Sequence, residues 1–338
     1  MDKYTIISPE AKGSFAERLG FLYLALGNYL DKENMENRHL QYSKVFLSDS
    51  QNQISILKES FLYREFLSKE SCTIVEQPPL NDSKISLLVK TTDDTTPIIF
   101  QSIRLTEEEV ENKNSYAQTW MLFDKYLKTI EGKDLTMERN LVRTWIYVTN
   151  IDVNYQGVVE ARNDIFRKQG LTSKTHYIAS TGIGGSTPTR HAAVAMDFLT
   201  IPDIKEEDKK YLQALEHLNP THEYGVAFER GTRITLPTKR QYFISGTASI
   251  DKHGNILYPG DIVRQTGRLL ENIGALLKDG DATMNDIQYF IVYLRDISDY
   301  QTVEHLMNQF YPQIPHIIVE AKVCRPGWLI EMECVAEK

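Results

Sequence analysis

Glu331 stands in an apolar run, Leu329-Ile-Glu-Met332, close to the C-terminus. A carboxylate on a strand among such residues loses solvation, which raises its pKa and suits it to donate a proton near neutral pH. Glu333 shares its strand face by alternation, so pattern alone does not separate an acid from a solvated carboxylate. Arg143 lies in another strand pattern, with Trp145 and Tyr147 on its own face. The planar guanidinium fork fits a carboxylate better than a lysine does. Arg230, Arg295 and Arg325 are further candidates to hold an anion, each with a surface ion pair as the plainer role. A dicarboxylic substrate requires at least two of these four to converge. Tyr177 and Tyr224 offer hydroxyls to a substrate, although packing is the commoner duty of any one of 18 tyrosines. The run Thr181-Gly-Ile-Gly-Gly-Ser186, with Gly182, lacks the Gly-Lys-Ser/Thr ending of a phosphate loop and opens no helix. Its expected use is close approach of backbone N–H groups to a ligand. The eight histidines show no metal-ligand spacing, so no metal is expected.

These residues sit in a chain that repeats itself. Lys44-Val-Phe-Leu-Ser-Asp49, Trp145-Ile-Tyr-Val-Thr-Asn150 and Ile291-Val-Tyr-Leu-Arg-Asp296 are one apolar hexamer written three times. Each follows an amphipathic helix and precedes a second helix and a further strand, which is the signature of a repeated supersecondary unit. The second and third units match best: Tyr155-Gln156 answers Tyr300-Gln301, and Val194-Ala-Met-Asp197 answers Ile330-Glu-Met-Glu333. Glu331 therefore has Ala195 and Ser86 as counterparts, and Arg143 has Tyr289, so the scaffold does not require them. The expected units span 1–92, 93–201 and 240–338. The segment 202–239 is a connection or site wall with a helical run from Ile204 to Leu218. The short stretch before Phe15 leaves little room for an opening strand in the first unit.

Composition is that of a globular chain, 41% hydrophobic and 25% charged, with no apolar run near the ~20 residues of a membrane span. The net charge of -8 argues against a nucleic-acid footprint, so anion binding must rest on locally gathered arginines. Three cysteines without Cys-x-x-Cys spacing, and no signal-peptide pattern, fit a reducing cytoplasm.

The residues Phe243-Ile-Ser-Gly-Thr-Ala-Ser-Ile250, Gln265, Leu269 to Ile273, Val292-Tyr-Leu-Arg-Asp296 and Ile330-Glu-Met-Glu333 resemble the RidA/YjgF superfamily. The resemblance implies an α+β fold of repeated RidA/YjgF-like (chorismate-mutase-like) β(β)αβαβ units forming an intramolecular pseudo-trimer. It also implies ligand clefts between neighbouring units. The catalytic arginine of that superfamily would fall at His316, with His176 and Glu70 as the counterparts in the other units, so no unit keeps it. Val142-Arg-Thr-Trp145, Ser180-Thr-Gly-Ile-Gly184, Tyr224-Gly225, Phe228-Glu-Arg230, Ser245-Gly-Thr-Ala-Ser-Ile250 and Val323-Cys-Arg325 resemble, in order, the chorismatase branch. By that resemblance Glu331 protonates an enol ether, the arginines hold carboxylates, and no metal or organic cofactor is used. Ala248 and Cys324 fall at positions that shape the pocket. Lys322 and Gly327-Trp328 depart from the branch and point to an altered substrate.

Two functions remain open at this level. One is a cofactor-independent, chorismatase-like enzyme acting on a small carboxylate in the cleft between units two and three, as a self-contained monomer or a higher homo-oligomer. The other is a RidA-like protein that binds a keto acid or aromatic acid without turnover, or a relative of the superfamily's enamine and imine deaminases that lacks the usual arginine.

Overall fold

The computed structural model describes residues 2–10, 12–68 and 71–338, with the side chain of Tyr224 left out. The first unit runs β1 (Lys3–Ile7), α1 (Phe15–Met35), β2 (His39–Leu47), α2 (Ser50–Glu59), β3 (Ser71–Glu76) and β4 (Ile85–Thr92). The second runs β5 (Ile99–Ile103), a single turn α3 (Glu107–Val110), α4 (Ser115–Ile130), a second single turn α5 (Met137–Asn140), β6 (Leu141–Val148), α6 (Ile151–Lys168), β7 (Ala179–Gly184) and β8 (Val194–Thr200). Two short strands follow, β9 (Lys209–Tyr211) and β10 (Gly231–Thr235). The third unit is β11 (Arg240–Ala248), α7 (Ile262–Asp279), β12 (Ile287–Leu294), α8 (Tyr300–Phe310), β13 (His316–Glu320) and β14 (Ile330–Glu337).

Strand order repeats with the sequence: β1-β4-β2-β3, β5-β8-β6-β7 and β11-β14-β12-β13, the last extended by β10 and β9 beyond β11. The expected α+β repeat is therefore present three times. Local signals set the helices. Asp261 caps α7 by accepting from Arg264 N, and Gln265, Leu269, Ile273 and Leu276 form its buried stripe. Ser14 and Glu17 make a capping box at α1.

Helices cover one face of each sheet, and the other faces meet at a shared centre. Tyr42 stacks on Phe100 at 4.7 Å, Phe100 meets Trp145 at 5.9 Å, and Tyr4 meets Tyr289 at 5.0 Å, so aromatic rings from all three units fill it. Backbone hydrogen bonds close the ring of units. Glu76 and Ser186 exchange N–H···O bonds of 2.9 and 3.2 Å, Gly184 N donates to Lys322 O at 2.9 Å, and Leu80 N donates to Ile318 O at 3.0 Å. A Cβ at Gly184 would lie 2.7 Å from Lys322 N, so the second junction requires glycine.

Three expectations change. The first unit does have an opening strand, because β1 pairs with β4 from Lys3↔Thr91 to Ile7↔Leu87. Ile204 to Leu218 is not a helix. The open edge of β10 captures Lys209–Tyr211 as a strand, and Asp279 Oδ2 accepts from Gln213 N at 3.0 Å, so tertiary pairing overrides the helical pattern. Register also moves the counterparts of His316. His316 faces Phe290, and the equivalent partners Thr144 and Ser43 face Ser180 and Cys72. His176 lies four residues short of that position, and Glu70 falls outside the described residues. No helix of the described residues is long and apolar enough to cross a membrane.

Candidate active site between units two and three

A cleft of about 180 Å³ opens between the second and third units. Unit two supplies Tyr155 and Arg162 from α6 and Ser180 and Gly182 from β7. Unit three supplies Gly246, Ala248, Ile250, Glu331 and the loop residues Cys324, Arg325 and Trp328. The connecting segment closes one wall with Val226, Phe228 and Arg230. Six of the residues singled out from sequence thus meet in one place: Glu331, Gly182, Arg230, Ala248, Cys324 and Arg325.

Glu331 is positioned by a β-bulge. The β11–β14 register shifts between Ile244 and Thr247, leaving Ser245 and Gly246 out of the ladder. Gly246 N donates instead to Thr181 Oγ1 of unit two at 2.9 Å, and Ser180 N donates to Ser245 Oγ at 2.9 Å. The displaced backbone makes room for the carboxyl, which is 5% exposed. Glu331 pairs with Ala248 on one side and Tyr293 on the other. Burial, then the charge of Glu333, push its pKa to about 8, against the pull of Arg143 and Arg230. Near neutrality it is a protonated, neutral acid facing the cleft.

Three arginines line the same cleft. Arg162 rises from α6 and is 1% exposed, yet its Nε and Nη2 have no acceptor among the described residues. Its guanidinium lies 5.7 Å from the Phe228 ring, and that of Arg230 lies 5.5 Å from the same ring. Arg230 donates to Asn219 O at 3.0 Å from Nη2. Arg325 stands 4.8 Å over the Trp328 ring and donates to Gly254 O at 3.1 Å. Trp328 is fixed by its indole N–H to Ser249 O at 3.0 Å. Burial pushes the Cys324 thiol up to about 12, so it is a small, protonated wall residue rather than a nucleophile. Gly182 brings the backbone of β7 up to Tyr155, whose ring would lie 3.0 Å from a Cβ there.

The remaining expected residues sit elsewhere. Arg143 is not an anion clamp in the cleft. It is buried behind it, donating from Nη2 to Glu333 Oε2 at 3.0 Å and to Thr181 Oγ1 at 2.5 Å. Glu333 is correspondingly not a solvated carboxylate, since it is 1% exposed and also accepts from Trp145 Nε1 at 2.7 Å. Arg295 staples unit three to α6, with Nη2 2.9 Å from both oxygens of Asp152 and Nη1 donating to Val323 O at 2.8 Å. Lys322 joins the same carboxylate at 3.5 Å. Tyr177 lines a neighbouring cavity of about 170 Å³ that shares only Phe228 and Arg230 with the cleft. The backbone of Tyr224 ends a short 3-10 turn in that cavity's wall.

Arg162 lines the cleft without having been singled out, and Tyr155 and Phe228 were read as repeat and motif positions rather than as site residues. Arg162 left a signal: it interrupts the apolar stripe of α6 between Val158 and Phe166. Tyr155 was hidden because unit three repeats it as Tyr300.

No group of three or more His, Cys, Asp or Glu among the described residues is placed to hold a metal ion.

Known proteins match this architecture at two scales. The endoribonuclease L-PSP family matches residues 227–338. A RutC family protein of Pyrococcus abyssi is 34% identical over 98 residues, spanning 28% of this chain and 77% of that one. A crystal structure of chorismatase covers 99% of this chain and 98% of its own, at TM-score 0.70 and 17% identity, a likeness of fold. RidA from an Antarctic Psychrobacter covers 38% of this chain and 98% of its own, with 18% identity and TM-score 0.31. Through its C-terminal unit the chain belongs to the RutC family, the RidA/YjgF superfamily expected from its sequence.

Proposed function

We propose that the chain hydrolyses the enol ether of a cyclic dicarboxylic acid of the chorismate type, releasing pyruvate. The observation that carries this reading is Glu331, buried in the same cleft as Arg162, a buried arginine with two unengaged nitrogens; burial pushes the pKa of that carboxyl up to about 8. An isolated guanidinium is costly to bury, and a substrate carboxylate offsets that cost. The likeness of the whole fold to chorismatase supports the same chemistry.

In the proposed reaction Arg162 holds one carboxylate, and Arg230 or Arg325 the other. Glu331 gives its proton to the terminal methylene carbon of the enol ether, and the positive charge develops on the ether carbon. Water adds there, the hemiketal collapses to pyruvate, and the ether oxygen stays on the ring as a hydroxyl that takes one of the water's protons. The other water proton restores Glu331. Phe228, Ile250 and Trp328 provide the apolar walls that a six-membered ring requires. The imine chemistry of the wider superfamily has less support, since Ser180 stands in this cleft where its arginine would be.

The test is incubation with chorismate and enzymatic detection of pyruvate, run beside Glu331→Gln. Binding of chorismate without pyruvate would favour a binding protein instead.

A further inference from the structure

Phe228 is a wall that two of the cleft's arginines share. The Arg162 guanidinium, rising from α6 of unit two, lies 5.7 Å from its ring, and that of Arg230, further along the connecting segment, lies 5.5 Å from it. Both fall within the ~6 Å over which an aromatic face attracts a cation. Arg325 is backed separately, by Trp328 at 4.8 Å. Of the two candidates for the second carboxylate, Arg230 is therefore the one tied to the same ring as Arg162. The ring itself is held from both sides. Asn163, next to Arg162 on α6, accepts from Ala227 N at 3.2 Å and donates to Gly225 O at 2.9 Å. Phe228 O accepts from Thr221 Oγ1 at 2.5 Å, and Glu229 N donates to Ile178 O, just before β7, at 3.0 Å. Arg230 is oriented by Nε and Nη2, which both donate to Asn219 O, at 3.3 and 3.0 Å. The segment thus carries Phe228 and Arg230 as one piece, and Asn163 registers that piece against the helix that carries Arg162.

We infer that Phe228 is a positioning residue that determines specificity: its ring sets the separation of Arg162 and Arg230, so that the cleft selects a ring acid whose second carboxylate stands on a meta-linked side chain. The inference rests on the chorismate-type reading, which supplies the meta relationship, and adds the arginine pair and the residue that spaces it. Arg162 and Arg230 are both buried, and two buried cations beside one ring are costly unless anions arrive. Glu331 is the only carboxylate among the described residues that line the cleft, so the ligand must bring those anions. A dicarboxylate of matching span gains a charge-assisted contact at each guanidinium. One whose second carboxylate falls short or long gains only one. Discrimination of this kind is geometric and acts on binding, before any proton moves.

The test needs no turnover. The full chain is titrated calorimetrically with the ortho, meta and para isomers of (carboxymethoxy)benzoate, dicarboxylates that carry no enol ether to cleave. Wild type should bind the meta isomer about 10- to 100-fold more tightly than the other two, the scale of one charge-assisted contact. Phe228→Tyr keeps the aromatic face and should keep that preference. Phe228→Leu keeps apolar bulk but loses the face, and its preference should fall to about threefold or less, with the melting temperature close to wild type. Equal binding of the isomers by wild type, tighter binding of another isomer, or binding of none would overturn the inference. So would a preference undiminished in Phe228→Leu. Should that variant fail to fold, Phe228→Met replaces it with the same expectation. Pyruvate release is read separately. Isomer preference without pyruvate from chorismate sinks the enol-ether reading alone, and pyruvate without isomer preference sinks this inference alone.

Discussion

Gly246 and Glu331 meet across the β11–β14 pair so closely that a Cβ on the glycine would lie 2.0 Å from Glu331 Oε1. The backbone of one strand thus sets where the acid of the other can stand. Gly246→Ala should leave the fold intact, since the carboxyl can swing into the cleft, but it moves the proton donor off its position. We expect kcat to fall about 100-fold, given how steeply catalysis depends on placement, with the melting temperature nearly unchanged. Steady-state kinetics beside a thermal melt checks this.

Arg162→Met tests the anion anchor. Methionine fills similar space on the α6 stripe and removes a buried charge. KM should rise about 10- to 100-fold, the scale of a lost charge-assisted contact, while stability holds or rises. An unchanged KM would move the carboxylate site to Arg230 and Arg325.

Asp2 makes a separate, purely structural prediction. It lies 2.7 Å from Lys90 Nζ and 2.5 Å from Lys239 Nζ, tying the start of unit one to the entrance of unit three. Burial raises its pKa, but the two ammonium groups outweigh burial and hold it at about 2, below its ordinary 3.8. A depressed carboxylate contributes stability that is present above the ordinary value and lost as pH falls through about 2. Asp2→Asn should cost about 3 kcal/mol at neutral pH, because the buried Lys90 ammonium loses its carboxylate while Lys239 keeps Asp94 and Glu337. It should also flatten the acid side of the stability curve, as read by urea melts between pH 7 and pH 2.5.

The opposite sign applies to Glu331. Its folded pKa of about 8 lies above the ordinary 4.5, so its stability contribution is full below 4.5 and lost as pH rises through 8. Glu331→Gln should therefore be more stable than wild type at pH 9.5, by up to about 5 kcal/mol, and nearly equal to it at pH 4. Denaturant melts at the two pH values measure the difference.

Much of this was legible in the sequence, and the failures have physical causes. The hexamer repeat gave three units, because it depends on local pattern. The unequal status of Glu331 was visible against Ser86 and Ala195, as strand register bears out. Pairing partners were not visible. β1 and β9 exist because a neighbouring strand offers an edge, and neither carries a strong signal of its own. Arg143 looked like a clamp because its strand named its neighbours Trp145 and Tyr147 but not Glu333, which arrives from a residue 190 positions away. Arg162 was readable as a charge on an apolar stripe. Tyr155 was not, because comparing units discards any residue that two of them share.

The central claim is that Glu331 protonates an enol ether in this cleft. Its most direct measurement is pyruvate released from chorismate by wild type and by Glu331→Gln between pH 6 and pH 9.5. The account predicts one pyruvate per chorismate, a rate that falls as pH passes about 8, and a loss of about 10²- to 10⁴-fold in the variant. No pyruvate from wild type, or an undiminished rate in Glu331→Gln, would contradict it.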